Sequence, residues 1–168
     1  MGKEACPIPF PRLYSSKFSF NLTSFSRKPG AFMAHLLMVD DNPQSQRYIE
    51  RIIRLRTAHE IAFARDSKEG IEKMVAQRPA LIFLDLFLPG MSGFDFFEML
   101  RSHPATANIP IVIHTAVPLD PITKMRLRKV KSDGFVEFPI AASELIGIID
   151  SALHLDDPRI RKWTPPSV

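Results

Sequence analysis

Residues 81–96 read LIFLDLFLPGMSGFDF. The apolar run Leu81 to Leu84 is short enough for a strand and continuous enough to be buried on both faces, as strands of a parallel sheet are. It ends in an acid, Asp85. Beyond it, Ser92 with Asp95 three residues later makes a capping box, which predicts a helix burying Phe94, Phe97 and Leu100. The stretch is one strand–loop–helix unit with a carboxylate at the strand's carboxyl end.

The same unit repeats in kind on both sides. Toward the N-terminus, His35 to Val39 reads as a first strand ending in Asp40-Asp41, and Asn42-Pro43 supplies a capping side chain and a first-turn proline. The helix that follows carries Tyr48, Ile49, Ile52, Ile53 and Leu55 on one face, against Arg47, Glu50, Arg51 and Arg54 mostly on the other. Ile61 to Ala64 is a weaker strand. A helix from about Lys68 to Gln77 uses Ile71, Met74 and Val75 and stops before Pro79. Toward the C-terminus, Ile109 to His114 is a strand leading to Thr115, and Leu119 to Val130 a helix. Phe135 to Phe138 is a short fifth strand, and Leu145, Ile148, Ile149 and Ala152 mark a last helix. Five strands alternating with five helices predict an α/β fold, an open parallel sheet covered on both faces.

Length and composition agree. At 168 residues and 45% hydrophobic, the chain holds enough apolar surface for one core and too little for two stable domains and a linker. The single cysteine, Cys6, excludes a disulfide framework and a cysteine-cluster metal site, and points to a reducing, cytoplasmic setting. The apolar runs fall far short of the roughly 20 residues that cross a bilayer, so no membrane insertion is expected. Net charge is +4 with a pI near 9.4, which at first suggests nucleic acid or membrane. Lys3, Arg12, Lys17, Arg27 and Lys28 against Glu4 place all of that charge in residues 1–32, leaving the remainder balanced, so no nucleic-acid partner is expected.

Three segments follow. Residues 1–32, with Pro7, Pro9, Pro11 and Pro29 and no persistent period, are expected to be a disordered basic leader. An acid-poor start also fits a transit peptide, but Phe18, Phe20, Leu22 and Phe25 alternate rather than form an amphipathic helix. Residues 33–154 are the folded domain. Residues 155–168, including Trp163, are a short tail that cannot form an output domain.

In an open α/β sheet the reactive site lies outside the carboxyl ends of the strands. Asp40, Asp41, Asp85 and Thr115 converge there. Neighbouring carboxylates in a poorly solvated cleft need a cation or raised pKa values, and oxygen-only ligands suit Mg²⁺. One carboxylate could then act as a nucleophile on phosphorus. The bland alternative is that the paired acids merely cap the following helix.

Taken together, LLMVDDN, LIFLDLFLPGMSGFDF, IVIHTA and DGFVEFPI resemble the receiver domains of two-component response regulators, over about Met33 to Leu153. The resemblance implies a flavodoxin-like (βα)5 fold with strand order 2-1-3-4-5. It makes Asp85 the phosphoacceptor, taking a phosphoryl group from a histidine kinase or histidine phosphotransfer protein. Mg²⁺ would be held by Asp41, Asp85 and the backbone carbonyl of Phe87, with Asp40 acting mostly through water. Thr115 would turn its hydroxyl to a phosphoryl oxygen. Phe135 sits where the family has its aromatic switch, or is a permanently buried strand aromatic. Pro89-Gly90 continues the family loop, and Gly93 fits the turn into the third helix. The protein would be a stand-alone receiver, not a turnover enzyme.

One departure is plain: Phe138 stands where the family has lysine before the proline of the fifth strand. Losing that cation removes a charge-assisted hydrogen bond worth on the order of 1.5 to 3 kcal/mol. Either Asp85 is still phosphorylated with altered coupling to the surface, or the domain is a pseudo-receiver acting as a phosphorylation-independent binding module. His114, beside Thr115, is no substitute cation, because alternation points it away and predicts a packed, hydrogen-bonded histidine. Lys129 and Lys131 are expected to face water. Phe138-Pro139 resembles the family's cis dipeptide. Phe87 and Val117, two residues after Asp85 and Thr115, are apolar and cannot orient a hydrolytic water, which predicts slow self-dephosphorylation. Output would be by contact with a downstream protein, and Lys124, Arg126, Arg128 and Lys129 would attract an acidic one. A small phosphohydrolase or a flavin-binding module fits less well, since the loops leave no room for a cap and the loop after the first strand is not a Ser/Thr/Gly-rich cradle.

Overall fold

The computed structural model describes residues 33–154. The expectations for residues 1–32 and 155–168, Trp163 included, lie outside that range. The elements run β1 (His35–Val39), α1 (Pro43–Arg56), β2 (Glu60–Ala64), α2 (Ser67–Ala76), β3 (Leu81–Asp85), α3 (Gly93–Ser102), β4 (Ile111–Thr115), α4 (Pro121–Lys129), β5 (Gly134–Glu137) and α5 (Ala142–His154). The sheet is parallel throughout, in the order β2-β1-β3-β4-β5. The chain leaves β1 in one direction and returns to β3 in the other, which opens the cleft between those strands at their carboxyl ends.

Strands β1, β3 and β4 are fully or largely buried because helices cover both faces, whereas the edge strands β2 and β5 are only partly buried. On one face Leu36, Met38, Leu81, Phe83 and Val112 meet Ile49, Ile52 and Ile53 of α1 and Leu145, Ile149 and Ala152 of α5. On the other, Leu37, Val39, Ile82, Leu84, Ile111 and Ile113 meet Met74 of α2, the phenylalanines of α3 and Leu127 of α4. Period-2 alternation in the strands deals successive residues to opposite layers.

Several boundaries differ from the expectation for local reasons. Strand β4 starts at Ile111 rather than Ile109, because Pro110 has no N–H to give the ladder, although its carbonyl accepts from Ile82. Helix α4 starts at Pro121 because Asp120 caps it, accepting from the amides of Ile122 and Thr123. In α1, Tyr48 and Leu55 are exposed rather than core. In α2, Ile71 and Val75 are exposed too, and Gly70 is buried instead. A Cβ at Gly70 would sit 3.3 Å from the Phe96 ring and from Val39, so the helix lies close where it has no side chain.

Two long-range links pin the edges. Arg101 donates to the carbonyls of Ala107 and Ile109 and to Asp133 at 2.6 Å, and Asp133 also accepts from the Ile111 amide at 2.8 Å. Tyr48 donates its hydroxyl to the Ile140 carbonyl, tying α1 to the segment after β5. No helix among the described residues is long and apolar enough to cross a membrane.

Candidate metal and phosphoacceptor centre

Three carboxylates meet at the cleft. Oxygens of Asp40, Asp41 and Asp85 lie within 4.8 Å of one another. Asp40 follows β1 and Asp85 closes β3, so in-register pairing of these strands brings the acids together from positions 45 residues apart. They are not helix caps: Asn42 caps α1, accepting from the Gln44 amide at 2.9 Å.

Their environments differ. Asp41 is exposed, whereas Asp40 and Asp85 are buried. Burial pushes Asp40 up to about 6, with the charges of Asp85 and Asp41 adding to the rise. The Asn42 amide, 2.7 Å from Oδ1, and a hydrogen bond with Ser45 work against that rise. Asp85 is likewise raised by burial, then by Asp41, and is restrained by hydrogen bonds to the amides of Phe87 and Leu86. The donors are all hard oxygens, and two of the three are paying desolvation and repulsion that a small dication would relieve. The cluster therefore fits Mg²⁺.

Gly93 sets how closely α3 approaches β3 at Asp85. A Cβ there would lie 2.0 Å from the Asp85 carbonyl oxygen and 2.7 Å from the Leu86 Cα. Without one, the Gly93 amide reaches the Leu86 carbonyl at 3.0 Å. The expected capping box holds: Ser92 Oγ accepts from the Asp95 amide and donates to its carboxylate at 2.7 Å. Gly90 adopts φ +81°, a left-handed turn that glycine permits.

Thr115 is buried, and its hydroxyl both donates to the Val117 carbonyl at 3.0 Å and accepts from the Val117 amide. Phe135 is half-buried against the α2–α4 layer, so it is neither free nor locked in the core. Phe138 lies on the opposite layer, and the Phe138–Pro139 bond is cis, as expected. Phe87 and Val117 are both about half exposed at the mouth. Lys129 and Lys131 face water, while Arg126 pairs with Asp95 at 2.9 Å and lies over the Phe94 ring.

His114 corrects one expectation. It is packed and points to the layer opposite Thr115, but it is not hydrogen-bonded: neither ring nitrogen has a partner. Local alternation gives a side chain's direction, whereas whether a partner waits there is set by residues far along the chain. Its Nε2 lies 3.8 Å from Asp40 Oδ2, yet this is no ion pair, because burial pushes the imidazole down to about 3. Two contributors were not anticipated. Ser45, buried one turn into α1, serves Asp40, and Tyr48 braces the segment after Pro139; only Ser45, a polar residue on an apolar face, left a trace in the sequence.

An open doubly wound α/β domain with an acidic triad at its switch point and a hydroxyl on the neighbouring strand is the architecture of a phosphoryl-accepting signalling module. The chain belongs to the response regulator receiver domain family, whose model matches residues 36–150. It is 36% identical over 111 residues to hybrid signal transduction histidine kinase D of Dictyostelium discoideum, covering 66% of this chain and 7% of that protein. It is 27% identical over 120 residues to protein Rrf1 of Nitratidesulfovibrio vulgaris, covering 71% of this chain and 83% of that protein. Relatives such as the DNA-binding response regulator MtrA of Mycolicibacterium smegmatis are matched over about half their length. Among solved structures, the receiver domain of a sensor histidine kinase from Pseudomonas aeruginosa PAO1, with a magnesium ion in its cleft, superposes with a TM-score of 0.64. That pair shares 23% identity, over 73% of this chain and 98% of the other, a likeness of fold.

Proposed function

We propose that Asp85 accepts a phosphoryl group from a phosphohistidine on a histidine kinase or histidine phosphotransfer protein. The observation that carries this reading is the acidic triad, two of its three carboxylates buried, with Asp85 centred between Asp40-Asp41 and Thr115 across the sheet. An Asp85 carboxylate oxygen forms the new bond to phosphorus as the bond to the donor imidazole nitrogen breaks, with its electron pair returning to that ring. Asp41, Asp85 and the Phe87 carbonyl would hold Mg²⁺ directly, with Asp40 oriented behind them. The ion, when bound, offsets the charge gathering on the phosphoryl oxygens. Thr115 exchanges its bond to the Val117 carbonyl for one to a phosphoryl oxygen.

The step is stoichiometric rather than a turnover reaction, and its setting is the cytoplasm. Output runs through contact with a downstream protein. Phe138 leaves the site without the family's lysine, so charge on the phosphoryl group is met by the ion and neutral donors alone. That single departure favours the pseudo-receiver as the competing reading. Incubation with Mg²⁺ and acetyl phosphate, followed by intact mass measurement, separates them. A gain of one phosphoryl group that disappears in Asp85→Asn supports the reading, and no gain in the wild type overturns it in favour of the binding module.

A further inference from the structure

Buried polar atoms are nearly always paired, so a fully buried ring with two unpartnered nitrogens needs a reason. His114 lies in register with Asp85 on the layer covered by α1 and α5. The Phe138 ring packs on it at 4.9 Å between centroids, tilted by 44°. Toward the cleft, Nε2 faces Asp40 Oδ2 at 3.8 Å, too long for a hydrogen bond and short enough that a small adjustment of the carboxylate would close it. The other carboxylate oxygen of Asp40 is already held by the Asn42 amide.

We propose that His114 is a positioning residue for the metal centre: as the Nε2–H tautomer it donates to Asp40 Oδ2 once a divalent cation has drawn the acidic cluster together. The inference rests on the reading that this cluster binds a dication. Carboxylates around a metal are themselves usually hydrogen-bonded from behind, and those partners set their orientation. Phe138 contributes by packing its ring against the imidazole, which limits how the ring can turn. The donor is uncharged, so it orients Asp40 without competing with the ion for the triad.

The test uses the full chain labelled with ¹⁵N. Two-bond ¹H–¹⁵N correlation spectra assign the His114 tautomer, with His114→Phe identifying its signals, while MgCl₂ is titrated in. The expected result is the Nε2–H tautomer, with both ring nitrogens shifting as Mg²⁺ saturates. In parallel, Mg²⁺ affinity is measured calorimetrically. His114→Phe should bind roughly tenfold more weakly, and His114→Gln, which retains a donor, should recover most of the loss. An Nδ1–H tautomer, signals indifferent to Mg²⁺, or wild-type affinity in His114→Phe would overturn the inference while leaving the metal site standing. No Mg²⁺ uptake by the wild type would overturn both. If neither variant folds, the wild-type tautomer and its response to Mg²⁺ decide.

Discussion

Replacing Asp40 with asparagine should stabilise the metal-free protein at neutral pH, although it removes a residue of the functional cluster. Asp40 is 1% exposed, and its pKa is raised from 3.8 to about 6. That rise corresponds to a ceiling of about 3 kcal/mol against the charged form. The folded state holds the Asp40 proton more tightly than the unfolded chain does. Its contribution to stability is therefore greatest at low pH, declines between about pH 4 and pH 6, and is at its lowest at pH 7. Asparagine keeps the shape and an acceptor for the Asn42 amide, but the neutral acceptor makes a weaker bond. The expected net gain is thus about 1 to 2 kcal/mol at pH 7, shrinking toward zero near pH 4.5. Saturating Mg²⁺ should reverse the ranking, since a site filled to 100 times its Kd adds about 2.7 kcal/mol to the wild type and less to the variant. Urea unfolding followed by far-ultraviolet circular dichroism, at both pH values in EDTA and in Mg²⁺, measures all four quantities. If Asp40→Asn is less stable than the wild type in EDTA at pH 7, burial and repulsion are not what the acidic cleft costs, and the argument for a dication fails.

Three further outcomes follow from particular contacts. Gly93→Ala should lower stability by about 3 kcal/mol in the same assay, because its Cβ would meet the Asp85 carbonyl oxygen at 2.0 Å at the end of β3; a loss under 1 kcal/mol contradicts the close approach. Asp133→Ala strands the Ile111 amide and one arm of Arg101, and should cost about 2 to 3 kcal/mol, read from the urea midpoint. The phosphoryl group on Asp85 should decay slowly in Mg²⁺, since Phe87 and Val117 at the mouth cannot orient water, and Phe87→Asn should speed decay several-fold by intact mass; rapid decay of the wild type contradicts this.

Much of this site was legible because it is written in short-range terms. The acids sit at strand ends, and strand ends follow from where apolar runs such as Leu81 to Leu84 stop. Asn42 and Ser92 announce helix starts because a cap acts within three residues. The sites that misled are those whose partners are distant in sequence. Tyr48 and Leu55 satisfy the apolar period of α1, yet among its apolar residues only Ile49, Ile52 and Ile53 are buried. Gly70 looks like a flaw in α2 until Phe96 is seen against it.

The sequence by itself determined the alternation of strands and helices, the positions of Asp40, Asp41, Asp85 and Thr115 at strand ends, and the absence of a lysine at Phe138, since each depends on periodicity or identity alone. Tertiary structure decided how deep Asp40 lies, how near Gly93 brings α3 to Asp85, and that His114 faces Asp40 with both nitrogens unpaired. Desolvation and hydrogen-bond partnership are properties of the space between elements. Residues 24 to 74 positions apart in the chain, from Phe138 against His114 to His114 against Asp40, fill that space, and no local pattern encodes it.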